Sequence, residues 1–246
     1  MMKKILNIFT WYEWIFVICS LITLLGLGIY NSIENFKYSI VLELTSVILG
    51  LLSCVLNGKR KKYAFFFYSA YVILYGSVSF IEKQYGEGVL NLCFNLPMYL
   101  FTLYKFYIRD RAKDNNENFK VGTLKLWMII GSIIFVPCVT GLYGYILSLL
   151  DSKLPYINAL ATSFALIAVF FTTKGILWQW LMWTCYSSTL TAIWTLNYIE
   201  GSTSGLLYIV LNCIYIVVNF YCLFTWMVIK KKQDKESKEI AQEEAK

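Results

Sequence analysis

Trp180, Trp183, Ser187 and Trp194 recur at spacings of 3, 4 and 7 within one apolar run, with Thr191 close by. At about 100° per residue the four fall in a helical stripe roughly 60° wide. Aromatic faces stacked over a hydroxyl make a slot for a flat ring, and a positively charged ring gains about 0.5 to 2 kcal/mol there from cation–π attraction. Asn91, Asn95, Asn212 and Asn219 also interrupt apolar runs. A buried amide without a partner is costly, so each must face another helix or a wet cavity where it meets a ligand's hydroxyls. Glu43 is the carboxylate placed deepest in such a run. It either attracts a cationic substrate or is a first-turn acid favoured by its helix N-terminus.

Other chemistry is excluded. The chain has no histidine, and its 7 cysteines stand singly in apolar runs without a C-x-x-C pair. No metal site, no cofactor and no acid–base constellation of an enzyme is implied.

The elements that position these residues follow from composition. Of 246 residues 58% are hydrophobic, 18% aromatic and only 15% charged. A helix needs about 20 apolar residues to cross a bilayer, and apolar segments at 13–30, 38–57, 63–80, 87–108, 124–150, 155–173, 175–198 and 205–229 predict eight transmembrane helices in an all-α integral membrane protein. Basic clusters fall on alternate connections: Lys3 and Lys4, Lys59 to Lys62, Arg109 to Lys113, Lys174, and Lys230 to Lys232. The excess of Lys and Arg on one side places both termini in the cytoplasm of a multi-pass cell-membrane protein. The +7 net charge is thus a topology signal, with no nucleic-acid partner implied. In this frame Trp178 and Trp194 read as interfacial anchors. Anchoring or packing also explains Trp180 and Trp183 when these are taken alone. Glu13, Lys105, Lys125 and Glu200 fall near span ends, within reach of headgroups.

A weak repeat organises the spans. Lys59 to Lys62, an aromatic span, the acidic loop Tyr85-Gly86-Glu87-Gly88 and an Asn-bearing span ending at Phe106 come first. Lys174, the Trp180 and Trp183 span, the loop from Glu200 to Gly205 and a span with Asn212 and Asn219 repeat that order. Four crossings separate the copies, so the halves are parallel, in the 3+1+3 plan of SWEET-like transporters. The expected divisions are an extra first helix over 1–37, a triple-helix bundle over 38–110, a linker with the fifth helix over 111–154, a second bundle over 155–229 and a charged, dispensable cytoplasmic tail over 230–246. Pro97, inside the fourth span, bends it as either a hinge or a static kink.

Lys174 followed by Gln179-Trp180-Leu181-Met182-Trp183 and a polar residue at Ser187 resembles the W-x-x-W-x-x-x-N signature of the PnuC family of nicotinamide riboside transporters. Glu43 with Gly50-Leu51-Leu52 resembles the start of that family's core, Asn95-Leu96-Pro97-Met98 its fourth span, and Tyr215 to Asn219 and on to Trp226 its last. The resemblance implies uptake of nicotinamide riboside by facilitated diffusion, with a cytosolic kinase trapping the product. It also implies that Trp180 and Trp183 line an aromatic slot, while Asn219 and neighbouring polar groups meet the ribose. Two positions depart from the family: Ser187 replaces its asparagine, and Tyr99 stands where relatives often carry an amide. Serine offers one hydroxyl in place of an amide's two donors and an oxygen, so thiamine, riboflavin and deoxynucleosides stay open as alternative substrates, with Tyr99 able to stack on their rings. Ion-coupled symport is the other alternative.

Overall fold

In lipid a backbone can satisfy its own polar groups only as helix or closed barrel, and runs this rich in Leu, Ile, Phe and Trp take the first course. A computed structural model describes residues 10–34, 39–81, 85–109, 119–150, 152–201 and 205–244. Lys3, Lys4, Arg111 and Lys113, used above for topology, and residues 202–204 of the repeated loop lie outside the described residues.

The chain runs through α1 (Trp11–Glu34), α2 (Ser39–Gly58) and α3 (Ala64–Ile81), then α4 (Tyr85–Val89), a π turn (Leu90–Asn95), α5 (Leu96–Tyr104) and a second π turn (Lys105–Arg109). It continues with α6 (Leu126–Leu149), α7 (Pro155–Thr173), α8 (Gln179–Ile199) and α9 (Gly205–Glu244). Among the described residues six helices are long and apolar enough to cross a membrane: Trp11–Tyr30, Val41–Gly58, Ala64–Ile81, Leu126–Leu149, Pro155–Thr173 and Gly205–Glu239. The other two expected spans are helical for different reasons of their own. The 85–109 segment is divided by its π turns, and Pro97, which has no N–H to give, stands just after the first of them, where the ladder is already widened. Helix α8 starts only at Gln179 and carries more polar side chains than α7 before it.

Packing pairs the helices across the molecule. Helix α2 lies on α9, α5 lies on α7, and α1 packs on both α2 and α9. Helix α6 packs on α7, where Thr140 meets Ser163 at 3.2 Å and Gly144 lets the Tyr156 ring approach. Its remaining surface is almost wholly outward-facing and apolar, as a lipid-exposed linker requires.

The α2–α3 and α7–α8 connections are built alike. Each helix ends in the Schellman pattern of a 6→1 and a 5→2 backbone bond around a left-handed residue. Lys61 N donates to Leu56 O (3.1 Å) and Arg60 N to Asn57 O (2.8 Å); Ile176 N donates to Phe171 O (2.9 Å) and Gly175 N to Thr172 O (3.0 Å). The left-handed residues are Arg60 (φ 58°) and Gly175 (φ 64°). A short strap, 119–122, joins the two turns: Phe119 N donates to Arg60 O (3.1 Å) and Gly122 N to Gly175 O (2.8 Å). The Arg60 guanidinium, its pKa pulled down by burial, returns a bond to Phe119 O at 3.2 Å. That bond offsets part of the strain a non-glycine residue bears in this conformation.

One expectation is corrected. Glu13 does not reach for headgroups. It is buried and ion-paired with Lys59, and it accepts from Tyr221 Oη (2.6 Å) and from Thr10 N and Oγ1 (2.7 and 2.8 Å), which ties α1 to the α2–α3 turn and to α9. The charged tail continues α9 as helix to Glu244 with i,i+4 pairs such as Lys230–Asp234 (2.9 Å). It also has a contact of its own, because Gln233 Oε1 accepts from Val121 N of the strap at 3.2 Å.

At Gly175 an added Cβ would lie 3.2 Å from the Phe119 ring on a backbone costing about 1–2 kcal/mol for an L side chain. Gly175→Ala should lower the unfolding midpoint in detergent by roughly 2–8 °C. An unchanged midpoint would mean that the strap does not depend on this turn.

Candidate functional site

The interior holds two large packed clusters, besides a small one of Met128, Ile167, Phe171 and Ile176. One, at the strapped end, includes Phe65, Tyr68, Tyr99, Phe119, Trp180 and Trp226; the other, towards the opposite end, includes Tyr75, Leu190, Trp194, Tyr208 and Leu211. Tyr71, Ile214 and Tyr215 pack on both and so mark the layer between. Gly50 makes that layer possible: a Cβ there would fall 2.5 Å from Tyr215 Oη and 3.0 Å from the Tyr71 ring.

The α8 stripe passes through all three levels. Trp180 is fully buried, set edge-on to Trp226 with centroids 5.4 Å apart, and Trp226 is itself fixed by Nε1 to Gly58 O at 2.7 Å. Trp183 is half-buried; its Nε1 donates to Thr172 Oγ1 on α7 at 3.0 Å, and its ring meets Tyr186 edge-on at 5.7 Å. Ser187 is buried one turn further on. Trp194 stacks on Tyr208 of α9 at 4.2 Å and 18°, which corrects its reading as an interfacial anchor, whereas Trp178 is exposed as an anchor should be. Of the two slot residues, therefore, Trp183 keeps the more accessible ring.

The amides are buried but differently engaged. Asn91 Nδ2 donates to Glu87 O (2.8 Å), and Asn95 Nδ2 donates to Asn91 Oδ1 (3.1 Å), leaving Asn95 Oδ1 without a partner. Asn219 Oδ1 faces the Cys54 thiol at 4.0 Å, and Asn212 is spent on Tyr208 O. Tyr99 lies stacked on Tyr68 at 4.9 Å, its ring covered on that side. Glu43 is half-buried near the start of α2, at the end away from the turn, and its carbonyl accepts from Ser46. The structure buries Ser187, Asn91, Asn95 and Asn219 and half-buries Trp183 and Tyr215, packs Trp180 and Tyr99 into the strapped-end cluster, and places Glu43 towards the opposite end.

Four contributors were missed in the sequence. Asn57 Nδ2 donates to Gln179 Oε1 at 3.2 Å, a fully buried amide pair joining α2 to α8. Its outer atoms, Asn57 Oδ1 and Gln179 Nε2, are unpartnered, like Trp180 Nε1. Buried groups left over in this way are rare and offer ready bonds to a polar ligand or to water. Thr172 sets the Trp183 indole. Glu87, read as a loop residue, lies instead in helix α4 and accepts from Tyr186 Oη at 3.3 Å. The signal for it was the i,i+4 relation to Asn91 at the head of an apolar span. Among the described residues no group of three or more His, Cys, Asp or Glu side chains could hold a metal ion.

A family model for the nicotinamide mononucleotide transporter matches residues 40–228, which takes in both strapped turns and all of the site residues. The chain belongs to this family, the PnuC transporters. A PnuC described as a nicotinamide riboside transporter, from Neisseria mucosa, is 23% identical over 213 residues, covering 85% of this chain and 80% of the relative. The fold also matches a crystal structure of the vitamin B3 transporter PnuC, with a TM-score of 0.72, 22% identity and coverage of 91% of this chain and 94% of that one. As a PnuC family member the chain is a multi-pass membrane transporter for a small molecule, not an enzyme.

In this PnuC chain the Trp183 indole would lose its acceptor in Thr172→Val, a change that keeps the side chain's shape. A buried donor without a partner costs about 1–3 kcal/mol. Thermal unfolding should show Thr172→Val destabilised by that order and Thr172→Ser close to wild type; equal midpoints for the two variants would remove the bond from the account.

Proposed function

We propose that the chain takes up nicotinamide riboside across the cell membrane by facilitated diffusion, and that a cytosolic kinase then traps the product. The observation that carries this reading is the half-buried Trp183 ring, held by Thr172 between the two halves beside amides with bonding capacity to spare. An aromatic face for a pyridinium with amides for a ribose is the chemistry such a nucleoside needs. Similarity to a nicotinamide riboside transporter and to a vitamin B3 transporter supports it.

In this reading eight helical segments cross the bilayer in a 3+1+3 plan. The paired Schellman turns and the reciprocal contacts α2 on α9 and α5 on α7 support parallel halves over 38–110 and 155–229. Lys59 to Lys62, Lys120, Lys125, Lys174 and Lys230 gather at the strapped end, which supports a cytoplasmic strap and cytoplasmic termini. Transport proceeds by rocking of the halves about the middle layer. Pro97, directly after the π turn, is the hinge; Pro97→Ala should slow exchange across liposomes with affinity kept, and an unchanged rate would make it a static kink.

Glu87 favours a second reading, proton-coupled uptake, because it places inside the fold a carboxylate of the kind that relays use. Uptake at zero membrane potential that varies with an imposed pH or sodium gradient would select symport; indifference to both selects facilitated diffusion.

Binding is tested by tryptophan fluorescence. Nicotinamide riboside should quench the purified protein at micromolar levels, and Trp183→Ala should weaken binding by about tenfold or more while staying folded, the loss expected of a cation–π contact shielded from water. Silence with nicotinamide riboside and a response to thiamine, riboflavin or a deoxynucleoside would reassign the substrate within the same fold.

A further inference from the structure

Glu87 is held in an uncommon setting. Its carboxylate accepts from the Tyr186 hydroxyl, Asn91 donates to its backbone carbonyl, and the stacked pair Tyr71 and Tyr75, 5.5 Å apart and 15° from parallel, is close enough to feel its charge. Tyr186 in turn meets the Trp183 ring, so the carboxylate and the aromatic slot are joined through one side chain. Among the described residues no Lys or Arg forms an ion pair with Glu87. Glu13, by contrast, has Lys59.

An anion kept from water without a cation is costly, and hydroxyl bonds repay only part of that cost. Aromatic faces attract cations and a carboxylate attracts them more strongly. A ring of tyrosines around a carboxylate that none of the described Lys or Arg side chains pairs with, opening on a tryptophan, is therefore complementary to a flat cation, which would bring a positive charge to it. We infer that Glu87 is the specificity-determining residue of this site, selecting a cationic ring over a neutral one of the same shape. The inference rests on the nicotinamide riboside reading and adds to it the property that is recognised: the positive charge on the pyridinium. It also gives Tyr186 a task, since its hydroxyl aims the carboxylate towards the Trp183 side of the layer.

The test compares nicotinamide riboside with its 1,4-dihydro form, which keeps the ribose and the carboxamide and lacks the charge. Isothermal titration calorimetry on the full-length protein in detergent measures both affinities in wild type, Glu87→Gln and Glu87→Asp. Wild type should prefer the cation by about tenfold or more, the scale of a desolvated charge contact. Glu87→Gln should lose that preference chiefly by weaker binding of the cation, with the dihydro form bound as before. Equal affinities in wild type, or an unchanged preference in Glu87→Gln, would overturn the assignment while leaving nicotinamide riboside as the substrate. If Glu87→Gln binds neither compound, Glu87→Asp decides: a preference reduced but present supports the role, and an unchanged one overturns it. A wild-type protein that binds neither compound removes the substrate reading and the Glu87 assignment with it.

Discussion

Two backbone hydrogen bonds, Phe119 to Arg60 and Gly122 to Gly175, connect the two equivalent turns of the molecule through a single four-residue strap. Much of the interior at that end is arranged around them. Phe119 enters the cluster between Phe65, Phe106 and Trp226, and Trp226 in turn backs Trp180. The strap thus ties the α2–α3 turn to the α7–α8 turn and closes the strapped end with aromatic rings. The rocking proposed for the two bundles would have to deform this closure, each of whose bonds is of ordinary length and individually modest in energy.

The second organising constraint is the cost of polar groups away from water. Helix-forming Ser and Thr side chains mostly bond back to carbonyls a turn earlier, as Thr102 does to Met98 and Thr184 to Trp180. The amides cannot all be satisfied in this way. Asn57 and Gln179 meet across the halves and still keep one atom each unpartnered, as does Asn95. A chain evolved only to pack would replace such groups with apolar ones at little cost, so their survival in the middle of a transporter fits a ligand that completes them.

Much of this was legible in the residues. Apolar runs located the helices to within a few positions, except that α9 runs on through the charged tail to Glu244, and the Trp180, Trp183, Ser187, Trp194 spacing lies on one helix. Periodicity says which side of a helix a residue faces but not what waits there. Trp180 was consequently indistinguishable from Trp183, and Trp194 looked like an interfacial anchor, although the structure buries Trp180 against Trp226 and stacks Trp194 on Tyr208. Glu13 and Glu87 near span ends looked like headgroup or loop acids, because their partners Lys59, Tyr221 and Tyr186 are distant in sequence. Phe119 carried no local signal, lying in a polar stretch whose role is set by tertiary contacts. The equivalence of the turns was hidden for a related reason: a Schellman turn requires a left-handed backbone, and Arg60 in one copy disguises what Gly175 shows in the other.

The central claim, carriage of nicotinamide riboside without an ion gradient, is tested most directly by counterflow in liposomes. Vesicles loaded with unlabelled nicotinamide riboside and placed in a trace of labelled compound, with sodium, pH and potential equal on both sides, should accumulate label transiently above its equilibrium level. The account is contradicted if no overshoot forms, or if one forms only when an ion gradient is imposed.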